Sequence, residues 1–184
     1  MKWSEFRNLP NILSISRPLF FLPLTALVVL QLQWMFAGAV IFMIGVATDS
    51  LDGWLARKQG QVTITGKLLD PLTDKLFFDP SPLFFYSSLS PFLQNLFVFV
   101  YLPLELILMF GGLYAWFAPS QNIFSVGANN GGKWKTGSIV VFTILLFVNE
   151  SVVTVSEKYL ITTLSSATGF ALMSLAGHIN YRKN

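Results

Sequence analysis

Asp49-Ser50-Leu51-Asp52-Gly53-Trp54-Leu55-Ala56-Arg57 and, eight residues on, Gly66-Lys67-Leu68-Leu69-Asp70-Pro71-Leu72-Thr73-Asp74 form the stretch on which the reading of this chain turns. It holds four of the nine acidic residues in a chain of 184 residues that is 53% hydrophobic. A carboxylate in apolar surroundings is costly unless it holds a cation, pairs with a basic group or faces a watered cavity. The surroundings therefore come first, and then what the four carboxylates hold.

Working outward, the flanks are those of a membrane protein. The chain is 15% aromatic and only 11% charged, with a mean hydropathy of +0.60, whereas soluble domains carry about 25% charged residues. The class is all-α integral membrane. Six apolar segments, 12–32, 35–57, 66–88, 92–117, 134–152 and 159–179, each approach the ~20 residues that cross a bilayer. Residues 1–10 mix charge with Trp3 and Phe6, which predicts a short amphipathic helix lying at the interface. Pro80 and Pro82 predict a kink or break in the third segment. No internal repeat divides the chain, so 1–184 reads as one membrane domain. Lys2 and Arg7 before an apolar run, with Ala37-Gly38-Ala39 beyond it, imitate a signal peptide. The run from Pro18 is long enough to span, and cleavage is not expected. The absence of Cys excludes disulfides and thiol chemistry.

Charge placement orients the segments. With the N-terminus in the cytoplasm, Lys2, Arg7, Arg57, Lys58, Lys67, Lys133, Lys135, Arg182 and Lys183 all fall at inner ends, and Lys158 alone falls outside. Basic residues at segment ends favour a membrane reading over a nucleic-acid one. The expectation is a multi-pass protein of an inner or plasma membrane, with the acidic stretch reachable from the cytoplasm. Arg17 and Lys75 lie within spans, near that same face.

At about 100° per residue, Asp49, Asp52, Gly53, Ala56 and Arg57 share one side of a helix. Gly66, Asp70 and Asp74 step by four and make a second stripe. Brought together, the stripes set four carboxylates around one point, an all-oxygen donor set suited to hard divalent cations such as Mg²⁺ or Mn²⁺, with room for two ions. Gly53, Ala56 and Gly66 let a bulky ligand approach the backbone, and Arg57 suits a phosphate. The bland reading is that the carboxylates pair with Arg57, Lys67 and Lys75 and knit the helix ends. A divalent-cation transporter or a non-catalytic membrane protein are readings of another class, although transporter sites usually lie near the midplane. His178 and the many Trp and Phe read as interfacial anchors and packing.

The pattern D-x2-D-G-x2-A-R-x8-G-x3-D-x3-D resembles the signature of the CDP-alcohol phosphatidyltransferase family, with every fixed position present. The resemblance implies a six-helix membrane enzyme, commonly a homodimer. Its reaction is metal-dependent: the hydroxyl of an alcohol attacks the lipid-side phosphate of a CDP-linked lipid, and CMP leaves. It implies Asp49, Asp52, Asp70 and Asp74 as metal ligands, and Asp74 as general base. Asp52, Gly53, Ala56, Arg57 and Gly66 become the CDP pocket. Two further stretches, Asn8-Leu9-Pro10-Asn11-Ile12-Leu13-Ser14-Ile15-Ser16-Arg17 and Gly132-Lys133-Trp134-Lys135-Thr136, resemble segments of the branch that makes phosphatidylglycerophosphate from CDP-diacylglycerol and glycerol 3-phosphate. Cardiolipin synthases, which consume phosphatidylglycerol, share much of both. A small phosphorylated alcohol as acceptor is then expected at Arg17, Lys133 and Lys135. Leu104-Glu105 stands where that branch carries an Arg–acid pair, so Glu105 remains without its usual neighbour.

Overall fold

The computed structural model describes residues 9–31, 33–58, 64–117 and 130–180. The amphipathic segment expected over 1–10 falls almost wholly outside the described residues, as do Lys2, Arg7, Arg182, Lys183 and the side chains of Ala56, Arg57 and Lys67. Every regular element among the described residues is helical. Helix α1 spans Leu9–Gln31, α2 Met35–Lys58 and α3 Ile64–Phe78. A 3-10 helix follows over Ser81–Ser88. Helix α4 covers residues 91–117, α5 Asn130–Ser151 and α6 Glu157–Asn180.

Five of these, α1, α2, α4, α5 and α6, are long and apolar enough to cross a membrane. Large apolar side chains such as Leu19, Phe36, Phe99, Phe110 and Phe117 stand exposed along them, the pattern of helices solvated by lipid rather than water. The chain is an all-α integral membrane protein.

The third segment differs from the other five. Helix α3 stops after 15 residues, and the 3-10 helix adds 8, so neither piece alone reaches the ~20 residues of a span. Pro80 and Pro82 are the cause, because each lacks an N–H and its ring opposes the carbonyl one turn back. Ser81 Oγ donates to the Phe77 carbonyl at 2.6 Å and satisfies one of the acceptors that the break exposes. Prolines also shape α1 and α4. Leu22 N–H bonds the Arg17 carbonyl, five residues back, beside Pro18 and Pro23. Leu102 N–H bonds Phe97 in the same way, just before Pro103. Each is a widened π turn that accommodates a proline ring.

The chain divides into two compact units, Met1–Phe84 with Glu150–Val152, and Phe85–Asn149 with Val153–Asn184. In the first, α1 packs along both α2 and α3. Phe42 of α2 stacks on Phe77 of α3 with centroids 5.4 Å apart, and Phe78 meets Phe77 edge-on. Gly45 makes this approach possible, since a Cβ there would lie 2.4 Å from Phe77 Cζ. In the second unit α4 packs on α6. Phe85 meets Phe147 of α5 edge-on at 4.8 Å. Gly131 lies so close to α6 that a Cβ would stand 2.8 Å from the Ser174 backbone nitrogen.

Candidate active site

The Phe42–Gly45–Phe77 contact sets α2 and α3 side by side just above the acidic stretch. Asp49 lies one turn beyond Gly45, and Asp74 nearly one turn before Phe77. Helix α1 then supplies the group that joins them. Arg17, fully buried, donates from Nη1 to Asp49 Oδ1 at 2.5 Å and from Nη2 to Asp52 Oδ2 at 2.8 Å. Its Nη1 also donates to Asp74 Oδ1. One guanidinium therefore bridges two carboxylates of α2 and one of α3. The planar, always-charged fork of arginine suits this better than a lysine would.

Asp70 is reached through Ser14, one turn before Arg17 on the same face of α1. Ser14 Oγ lies 2.8 Å from Asp52 Oδ2, 3.0 Å from Asp70 Oδ1 and 3.1 Å from the Pro10 carbonyl. A hydroxyl has one proton to give, so these three acceptors cannot all be served at once. All four carboxylates of the sequence motif are thus linked to α1, which among the described residues brings them one positive charge, that of Arg17. Such an excess of negative charge attracts further cations.

The donor set is oxygen only, the kind that hard divalent cations take. Among the described residues no three acidic side chains stand in an arrangement that holds an ion directly, and the Arg17 guanidinium contacts three of the carboxylates. The carboxylates fit a divalent cation in kind and number once that guanidinium withdraws. Of the other residues expected in the site, Gly66 is buried and Gly53 half-buried. Ala56 and Arg57 continue α2, with side chains outside the described set.

The residues expected at an acceptor phosphate fall in both units. Arg17 is engaged with the carboxylates as described. Lys133 is exposed near the start of α5. Lys135 is buried, with Nζ donating to Glu105 Oε2 of α4 at 2.5 Å. Lys135 thus supplies within its unit the positive partner that Leu104 does not. Three features went unread in the sequence: Ser14, the grip of Arg17 on the acidic motif, and the Glu105–Lys135 pair. A signal for the first two was present, because Asn11, Ser14 and Arg17 recur at helical spacing in an apolar span, and all three are buried.

Comparison with known proteins places the sequence in a family. The family model for CDP-alcohol phosphatidyltransferase matches residues 7–175. The chain is 36% identical over 120 residues to a CDP-diacylglycerol–glycerol-3-phosphate 3-phosphatidyltransferase of Aquifex aeolicus (strain VF5), over 64% of this chain and 66% of that protein. Proteins of the same name from Pseudomonas fluorescens and Escherichia coli (strain K12) are 40% and 41% identical, over 38% of this chain and 36% and 38% of their own lengths. The chain spans less than two thirds of the length of these relatives. The family match covers the whole acidic site and the helices that carry it, and the chain belongs to the CDP-alcohol phosphatidyltransferase family.

Proposed function

We propose that this protein transfers the phosphatidyl group from CDP-diacylglycerol to glycerol 3-phosphate, giving phosphatidylglycerophosphate and CMP. The observation that carries the transfer is the gathering of Asp49, Asp52 and Asp74 on one buried guanidinium, with Asp70 tied in through Ser14. The acceptor rests on the names of the three relatives.

In this reading the C1 hydroxyl of glycerol 3-phosphate attacks the lipid-side phosphorus of CDP-diacylglycerol. A new P–O bond forms, the pyrophosphate P–O bond breaks, and CMP departs with the bonding pair. Asp74 takes the hydroxyl proton. Asp49, Asp52, Asp70 and Asp74 would hold one or two Mg²⁺ or Mn²⁺ ions, which would supply charge neutralisation of the pyrophosphate. Gly53, Ala56, Arg57 and Gly66 shape the CDP pocket. Arg17 is the acceptor-phosphate contact offered by the first unit, and Lys133 and Lys135 are those offered by the second. The positive-inside bias puts this site at the cytoplasmic face, with a sixth crossing made by α3 and the 3-10 helix together. In this reading 1–184 act as one domain, and the working form is a homodimer.

An acceptor panel tests the proposal. Purified protein with CDP-diacylglycerol and Mg²⁺ or Mn²⁺ is offered glycerol 3-phosphate, phosphatidylglycerol, inositol phosphate or serine, and CMP release is measured. Release with glycerol 3-phosphate is expected. Release only with phosphatidylglycerol would move the protein to cardiolipin synthesis, and no release with any acceptor would refute the enzyme reading. Asp74→Asn should lower turnover by about 10²-fold or more, the usual scale of a lost general base, with binding of the CDP-lipid retained. Normal turnover in that variant would remove Asp74 as the base.

A further inference from the structure

Arg17 is asked to do two things that its position does not permit together. The acceptor reading wants its guanidinium on a phosphate, yet the structure commits both terminal nitrogens to carboxylates. We propose that Arg17 is the internal counter-ion of the cation-free site, and that a divalent cation entering the carboxylate cluster displaces its guanidinium, which is then released toward the acceptor phosphate. This rests on the divalent-cation reading given above and adds an order to it: cation first, acceptor second.

Three observations carry it. First, the oxygens that Arg17 holds, Asp49 Oδ1, Asp52 Oδ2 and Asp74 Oδ1, belong to three of the four carboxylates that form the donor set. A hard cation contacts such oxygens at about 2.0–2.6 Å, which would set it against a guanidinium of the same sign, so the two positive charges compete for these carboxylates. Among the described residues no acidic trio is left over to hold an ion elsewhere. Second, Arg17 is fully buried, yet its Nε has no hydrogen-bond partner among the described residues. A buried donor left unmade is costly, and an arginine built only to clamp helices would be expected to use it. The orphan Nε leaves this fork with a donor still to be satisfied by another acceptor, which an approaching phosphate supplies. Third, among the described side chains that contact the four carboxylates one guanidinium serves three of them directly, and the Ser14 hydroxyl has one proton for Asp52 and Asp70. The described contacts leave carboxylate charge over with Arg17 in place, which favours a doubly charged ion in its stead.

The test compares wild-type protein with Arg17→Gln in lipid nanodiscs, after treatment with EDTA and then on titration with Mn²⁺. Bound Mn²⁺ is read by electron paramagnetic resonance, and stability by thermal unfolding. In EDTA, Arg17→Gln should melt below wild type. Mn²⁺ should raise its melting temperature more than that of wild type, and bind at least about tenfold more tightly once the competing charge is gone. Mn²⁺ binding no tighter than in wild type overturns the inference.

A second measurement needs no variant. In wild-type protein with ¹⁵N-labelled arginine, the buried Arg17 guanidinium should give protected, slowly exchanging Nη signals in EDTA. Those signals should shift or collapse as Mg²⁺ is added. Unchanged signals at Mg²⁺ concentrations that raise the melting temperature overturn the inference, whatever the folding of Arg17→Gln. If wild-type protein binds no Mn²⁺, the divalent-cation reading falls and this inference with it. If Mn²⁺ binds and CMP is released while Arg17 keeps its carboxylates, only the inference falls.

Discussion

Ser14 shows how much a single short side chain does in this site. Its hydroxyl is the sole described link between Asp70 and the α1 face that also grips Asp49, Asp52 and Asp74. Replacing it by alanine leaves two carboxylates with one fewer donor, a loss on the order of 1.5–3 kcal/mol for bonds to charged groups. Ser14→Ala should therefore lower the melting temperature of the cation-free protein by several degrees and slow CMP release about tenfold, as Asp70 loses its orientation. A variant with unchanged melting and unchanged rate would show that Asp70 is positioned by something else. Ser14→Thr keeps the hydroxyl and should retain most of the activity.

At the level of helices, the spacing of α2 and α3 decides whether the acidic stripes meet. That spacing is set at Gly45, where Phe77 lies against the bare backbone. The Phe77 ring has no freedom to retreat, being fully buried and stacked on Phe42. Gly45→Ala should cost about 1–3 kcal/mol through overpacking and should depress activity by parting Asp49 from Asp74. Adding Phe77→Leu makes room for the new methyl group, so the double variant should melt higher than Gly45→Ala alone. Equal melting of the two would argue against this contact as the spacer. The prolines act at the same level. Pro80 and Pro82 were legible as a break, whereas the π turns beside Pro18, Pro23 and Pro103 were not, because a proline can also be met by a kink or a helix end.

Across the whole chain, Glu105 and Lys135 pair thirty positions apart in sequence, within apolar helices α4 and α5. Removing one partner strands a buried charge, typically at 3–5 kcal/mol, whereas exchanging both for apolar residues of similar size is often neutral. Glu105→Leu should thus destabilise the protein strongly, and Glu105→Leu with Lys135→Met should recover most of that loss. The double variant also separates roles. With stability restored, a much higher KM for glycerol 3-phosphate would place Lys135 at the acceptor, while wild-type kinetics would leave the pair a purely structural contact.

The sequence by itself determined the class, the apolar segments, the break in the third and the four carboxylates with their helical stripes. All of these follow from composition and local periodicity, which act within a few residues along one chain. Only the tertiary structure decided what those carboxylates touch. The cations read as their possible partners were near them in sequence, Arg57, Lys67 and Lys75; the side chains of Arg57 and Lys67 lie outside the described residues, and among those described the fold brings Arg17, from a helix more than thirty residues away. The same holds for Lys135, read as a free acceptor group and found on Glu105. A buried charge takes whichever opposite charge the packing of helices brings within about 3 Å, and local pattern carries no record of which helix that will be.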